Sequence, residues 1–382
     1  MADIFSKASE FVSLLPKRVK SFSENQLRTM KSVIRLDHNI YLLDYNTDYC
    51  LDELLETGVS NIGALIGYAT KKLTLGAPVL KTGDGDCGCS TFEAHTKDGD
   101  HLLGRNFDFK EAPCFVLWTH PENAYASVAV VDCNFMVYGD KHNRPKAFNS
   151  AQALLAPYCC VDGMNEKGLA IAVLQIRTPA TNQQDPEKKD ITTTAMIRAV
   201  LDKCATVDEA VEFIKKYNMH DSLFTCYHYQ IVDKEKSVVV EYVNNELHVI
   251  ERNTELYEND GLGLQYVTNT YVTRNHGDEK AEEHGFDREK YIFNTLKQKG
   301  GVMSELEAMD LLSRVKLCYQ HPKYPWKIVA LWSSVYNTQK LELKIAANTD
   351  YHNVYTFSPL QPNQVLLKEG LEDEYKFEWE YL

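Results

Sequence analysis

The run Gly83-Asp84-Gly85-Asp86-Cys87-Gly88-Cys89-Ser90-Thr91-Phe92, followed by Gly104-Arg105-Asn106-Phe107-Asp108-Phe109, constrains this chain more than any other stretch. The residues between them, Glu93-Ala94-His95-Thr96, then Asp98-Gly99, then His101-Leu102-Leu103, read as a β-hairpin. Asp-Gly is the preferred pair for a two-residue type I′ turn. With Asp98 and Gly99 as that turn, Cys89 falls directly across from Asp108. A carboxylate then lies beside the backbone of a cysteine, placed to hold its amine if that cysteine began a chain. Strict alternation sends Arg105 and Asp108 to opposite faces of their strand, so both reach one thiol only through a twist or bulge near Asn106.

At 382 residues the chain has room for one large domain or two modest ones, each with a full core. A net charge of −13 argues against nucleic acid or an anionic membrane as the main partner. No apolar run is long enough for a transmembrane helix. The start, Met1-Ala2-Asp3-Ile4-Phe5-Ser6-Lys7, lacks the features of a secretory signal, so the expectation is a cytoplasmic protein. Ten cysteines scattered over so long a chain read as reduced thiols. None has zinc-site spacing, and a calcium loop from Asp84 fails because its glycine would fall on Cys89 and its closing Glu on His95. No cofactor and no metal is implied.

Residues 1 to about 80 read as helical, with amphipathic patterns through Leu27, Met30, Val33, Ile34, Ile40 and Leu43, and from Leu51 to Ile66. The Gly/Asp run at 83–88 reads as an exposed loop, where a chain is easily cut. Beyond Cys89, strands are expected at 114–118, 126–131, 135–138, 168–175, 226–232, 238–242, 247–250, 329–336 and 341–346. Helices are expected at 192–204, 207–217 (with Thr206 as N-cap), 287–298 and 304–314. Asn275-His276-Gly277-Asp278 reads as a loop. Without a regular βαβ alternation, this order favours an α+β or layered α/β fold with antiparallel sheets.

Cys89 as a nucleophile needs a base. Twelve histidines are available, but context singles out none. The cysteine's own α-amine, freed by cutting the bond before it, is the other solution, since its pKa of about 8 lies close to a thiol's. Cys89-Ser90-Thr91-Phe92, with Arg105 and Asp108 at their spacing, resembles the choloylglycine hydrolase group of N-terminal-nucleophile hydrolases. That group includes bile salt hydrolases, penicillin V acylases, acid ceramidase and N-acylethanolamine acid amidase. Asp162-Gly163-Met164-Asn165-Glu166-Lys167-Gly168-Leu169, Tyr266-Val267-Thr268-Asn269 and Leu331-Trp332-Ser333-Ser334-Val335-Tyr336 resemble further segments of the group. The late arginine of bile salt hydrolases has no clear counterpart.

The resemblance implies a four-layer αββα sandwich of antiparallel sheets over 89–382, preceded by a helical leader, 1–88, that is cut off before Cys89 and retained as a subunit or released. It implies that Cys89 attacks the amide carbonyl, Asp108 orients the α-amine, and Arg105 favours the thiolate. Gln175 and Asn269 would donate to the oxyanion. The favoured substrate is a small-molecule amide with an apolar acyl chain, such as an N-acylethanolamine or N-acyl amino acid. Bile salt hydrolase, penicillin V acylase, acyltransferase and a non-catalytic binding protein are the alternatives, and homo-oligomerisation stays open. Taken alone, Cys89 is an ordinary buried cysteine, and Cys87 is a rival nucleophile whose spacing to Arg105 departs from the group's.

Overall fold

The strands at Cys114–Thr119, Ser127–Asp132 and Cys226–Val232 bury every residue along their length. Strands covered on both faces require a packed layer on each side. The computed structural model describes residues 22–75, 88–136, 150–176, 178–222, 225–251, 265–269, 272, 285–322 and 325–372.

The elements run α1 (Glu24–Lys31), β1 (Ile34–Arg35), β2 (Ile40–Tyr45), α2 (Leu51–Thr57), α3 (Ile62–Leu73), β3 (Gly88–His95), β4 (His101–Lys110), β5 (Cys114–Thr119) and β6 (Ser127–Asp132). After a 3₁₀ segment at Ser150–Cys159 come β7 (Cys160–Asn165), β8 (Ala170–Ile176), β9 (Lys189–Thr192), α4 (Thr193–Lys203), α5 (Val207–Ile214), β10 (Tyr217–His220) and β11 (Cys226–Val232). Then follow β12 (Ser237–Val243), β13 (Glu246–Glu251), β14 (Tyr266–Val267), α6 (Phe286–Lys299), α7 (Glu305–Arg314) and β15 (Cys318–Gln320). The last strands are β16 (Lys327–Asn337), β17 (Glu342–Ala347), β18 (Val354–Phe357) and β19 (Leu367–Glu369).

One large sheet has the order β1-β2-β5-β6-β7-β8-β11-β12-β13, the other large sheet β14-β3-β4-β16-β17-β18-β19 with β15 beside β16, and β9 and β10 form a small parallel pair apart from both. Arg105 of β4 spans the gap between the two large sheets to Asp162 of β7 and the Val173 carbonyl of β8. Helix α4 lies on β7 and β8, whereas α6 and α7 lie on β3, β4 and β16. The result is the expected four-layer sandwich of helix, sheet, sheet and helix. Within it, Thr206 caps α5 through the Glu209 amide, and Ser304 with Glu307 closes a capping box on α7.

Three expectations need correction. The leader is not wholly helical. Ile40–Tyr45 pairs in parallel with the whole of β5, and that pairing overrides the amphipathic pattern read through Ile40 and Leu43. The hairpin loop has three residues rather than two: Thr96 N donates to Asp100 O at 2.9 Å, and Gly99 adopts φ +89°. Pairing therefore slips by one, setting Gly88 opposite Asp108 and Cys89 opposite Phe107. Phe135 lies in a turn rather than a strand. Cys87, the 83–87 loop, residues 137–138 and the 275–278 loop lie outside the described residues.

Side chains lock the leader's strand to the body. The Tyr45 hydroxyl donates to Leu154 O at 2.8 Å, and Tyr49 donates to Asp202, which is itself ion-paired with Arg198. A chain cut between Leu75 and Gly88 is expected to elute from a sizing column as one particle in native buffer and as two pieces in concentrated urea. Separation in native buffer would contradict the strand's structural role.

Candidate active site

Alternation along β3 and β4 decides what surrounds Cys89. Cys89, Arg105 and Phe107 share the face turned toward the other sheet, while Gly88, Asn106 and Asp108 share the face turned toward α6 and α7. The expected conflict between Arg105 and Asp108 is thus resolved without bringing both to the sulfur. A bulge does exist, between Ala330 and Trp332 of β16, opposite Phe107 and Asp108.

On the inner face the Arg105 guanidinium is fully buried. Nε donates to Asp162 Oδ2 at 2.8 Å, Nη1 to Asn106 O at 2.7 Å and Nη2 to Val173 O at 2.8 Å. Burial works to lower its pKa. The negative charges of Cys89 and Asp162, both hydrogen-bonded to the guanidinium, outweigh burial and raise the pKa above its ordinary value. Asp162 also accepts from Trp332 Nε1 at 2.8 Å and from the Tyr336 hydroxyl at 3.0 Å, so the carboxylate that holds Arg105 is itself fully engaged.

On the outer face the cation is Arg288, a residue absent from the set expected from sequence. Its Nη1 donates to the Cys89 carbonyl at 2.9 Å and lies 3.1 Å from Asp108 Oδ2, and its Nη2 donates to Asn269 Oδ1 at 2.8 Å. It sits in the first turn of α6, where the helix dipole disfavours a cation. That unfavourable position is the one sequence signal that marks it. Asp108 also accepts from Leu317 N at 3.1 Å, and burial pushes its carboxyl up to about 6 against the pull of Arg288. Gly88 is needed at its position, because a Cβ there would collide with the Leu317 side chain and come within 3.1 Å of Asp108 Oδ2.

The backbone nitrogen of Cys89 donates to Asn269 Oδ1 at 2.8 Å, and Asn269 Nδ2 donates to Gln175 O at 2.7 Å. Asn269 is therefore at Cys89, whereas Gln175 reaches the group through its main-chain carbonyl. The Asn269 segment is tethered by the buried pair His228 and Glu241, with His228 Nε2 2.9 Å from Thr268 O. The structure brings Cys89, Arg105, Asp108 and Asn269 together and adds Asp162 and Arg288.

The family model of linear amide C-N hydrolases, choloylglycine hydrolase family, matches residues 89–290, beginning at Cys89. The chain is 29% identical over 197 residues to a bile salt hydrolase/transferase of Clostridium perfringens, a match that covers 47% of this chain and 56% of that protein. It superposes on a crystal structure of the conjugated bile acid hydrolase from Clostridium perfringens with a TM-score of 0.51 and 18% identity, covering 74% of this chain and 97% of that one. A penicillin V acylase from Agrobacterium tumefaciens gives a TM-score of 0.48 and 19% identity, with 71% and 86% covered.

A carboxyl whose pKa is raised on folding stabilises the fold fully below its unfolded value, here 3.8, and loses that contribution as pH rises through about 6. Asn mimics the protonated form. In a Cys89→Ala background, the Tm of the Asp108→Asn variant relative to Asp108 is expected to move upward as pH rises from 4 to 8, on top of a pH-independent cost of losing the ion pair with Arg288. A relative Tm that falls over that range would contradict the assignment.

Proposed function

We infer the activity of this chain from its membership: it belongs to the choloylglycine hydrolase family of linear amide C-N hydrolases. We propose that it is an amidase activated by cleavage of its own Gly88–Cys89 bond and acting through an acyl-cysteine. The supporting observation is the division of labour at Cys89, whose thiol meets Arg105 while its nitrogen and carbonyl are held by Asn269 and Arg288 beside Asp108.

In the uncut chain the Cys89 nitrogen is an amide and holds no basic lone pair. Cleavage turns it into an amine within the same cradle. The amine takes the thiol proton, and the sulfur attacks the substrate carbonyl carbon. The tetrahedral intermediate collapses as the leaving amine receives that proton. Water, deprotonated by the same amine, then releases the acid and restores the thiol. Asn269 Nδ2 carries two hydrogens, one of them committed to Gln175 O, so the other serves the oxyanion. Gln175 is the second proposed donor. Arg105 stabilises the thiolate, and Asp108 with Arg288 orients the amine.

For the substrate we propose a fatty N-acyl amide. Helix α3 of the leader lines an apolar cavity of about 70 Å³ through Ile62, Leu65, Ile66 and Ala69, with Phe135 and Leu155 opposite. From Phe135 a ladder of rings leads through Phe109 (6.1 Å) to Phe107 (a further 5.8 Å), the cross-strand partner of Cys89. A bile-salt amide is the second reading. It is supported by the bile salt hydrolase/transferase relative and by the presence of an arginine, Arg288, beside Cys89. The same acyl-enzyme would transfer its acyl group to an amine that outcompetes water.

Intact mass of the purified protein is expected to reveal a fragment beginning at Cys89, and Cys89→Ala to abolish both cleavage and turnover. A fragment beginning at Cys87, or an uncut active enzyme, would overturn the mechanism. Asn269→Ala in the cleaved enzyme is expected to lower kcat about 100- to 1,000-fold with a smaller change in KM. Oleoylethanolamide is expected to be turned over faster than taurocholate, and the reverse preference would select the second reading.

A further inference from the structure

The hairpin that carries Cys89 at its open end holds a second cluster near its closed end. Glu93 and His95 are two residues apart on β3 and share a face, and His101 of β4 is the direct cross-strand partner of His95. Glu93 Oε1 lies 3.4 Å from His95 Nε2 and 3.9 Å from His101 Nδ1. One ligand atom from each of the three residues lies within 4.8 Å of the others. We propose that Glu93, His95 and His101 bind one divalent transition-metal ion of the zinc class, with a fourth position open to water.

The donor set and its spread carry the proposal. Zinc bonds to imidazole nitrogen and carboxylate oxygen are about 2.1 Å long, which in a tetrahedron separates neighbouring ligand atoms by about 3.4 Å. An N–H···O hydrogen bond needs about 2.9 Å, whereas the 3.4 Å between Glu93 and His95 matches the ligand spacing and the 3.9 Å to His101 reaches it by a small side-chain shift on binding. Glu93 is fully buried, and a buried carboxylate is costly unless it is paired or holds a metal.

The frame around the trio is rigid. The His95 amide donates to Gly301 O, and its carbonyl accepts from Met303 N, both at 2.9 Å. The three-residue loop fixes the cross-strand pairing, and the His101 amide donates to Gln339 Oε1 at 2.7 Å. The His95 side chain is 22% exposed, which gives an ion a way in and water a place to complete the coordination. Spacing along the sequence hides the site, because pairing between strands supplies the third ligand. Glu93 stands four residues from Cys89 on β3, about 13 Å along the strand, so a bound ion would pin the hairpin without taking part in thiol chemistry. The proposal does not rest on the amidase reading.

The test is titration of the chelator-treated full-length protein with Co²⁺, read by visible absorption, with Glu93→Gln and His95→Ala alongside. Glutamine keeps the buried shape, so it is the cleaner variant, whereas His95→Ala also removes a ring packed edge-on against His101 at 4.2 Å. One Co²⁺ per chain is expected, with the intense visible bands of tetrahedral cobalt, displacement by Zn²⁺, and binding at least about tenfold weaker in each variant. No stoichiometric uptake, a thiolate-to-cobalt charge-transfer band, or affinity unchanged in the variants would overturn the proposal. Crystals soaked in Zn²⁺ supply a readout that needs no variant: an anomalous peak among the three side chains supports the site, and its absence there overturns it.

Discussion

Two buried arginine–aspartate pairs, one on each face of a single sheet, hold Cys89 between them. Arg105 with Asp162 occupies the space between the sheets, and Arg288 with Asp108 lies under the outer helices. Each guanidinium is out of water, so each depends on its carboxylate, and removing one partner from such a pair typically costs about 3–5 kcal/mol. The rest of the fold is arranged so that both pairs survive burial. Trp332 and Tyr336 of β16 satisfy Asp162, and the Leu317 amide satisfies Asp108. One strand, β4, contributes a member to each pair because positions 105 and 108 differ by an odd number and so face opposite ways.

The same economy extends to the leader. Once Ile40–Tyr45 is a strand, residues 22–75 are no longer an appendage on a finished domain. They supply β1 and β2 of the nine-stranded sheet, a helix lining an apolar cavity, and Tyr49, whose hydroxyl meets the Arg198–Asp202 pair. Without β2, the fully buried strand β5 would become a sheet edge with its pairing groups exposed. Cleavage before Cys89 would therefore divide the chain without dividing the fold.

Much of this was legible in the sequence. Apolar runs such as 114–118 and 226–232 announced buried strands, and Thr206 as N-cap set where one helix begins. Cys89, Arg105 and Asp108 were identifiable from spacing within one hairpin. What escaped depended on contacts far apart in the chain. Ile40–Tyr45 pairs across seventy-odd residues, and its apolar residues fit a helix until β5 is present beside them. Arg288 is brought to Asp108 across 180 residues by the docking of α6, and no local pattern encodes that approach.

The one-residue slip in the hairpin changes the chemistry as well as the geometry. Had Asp98-Gly99 formed a two-residue turn, Asp108 would face Cys89. With Lys97 included in the loop, Asp108 faces Gly88, the residue on the other side of the bond proposed to break. A carboxylate there sits against a residue with no side chain, which explains why glycine precedes the cysteine: any Cβ would meet Leu317 and crowd Asp108. In the uncut chain this carboxyl is held up near 6 by burial. A new ammonium at Cys89 would add a second positive charge beside Asp108, next to that of Arg288, and so favour the carboxyl's ionised form. If the bond before Cys89 is cut as proposed, the amine it frees would meet a site that already holds both Asp108 and Arg288.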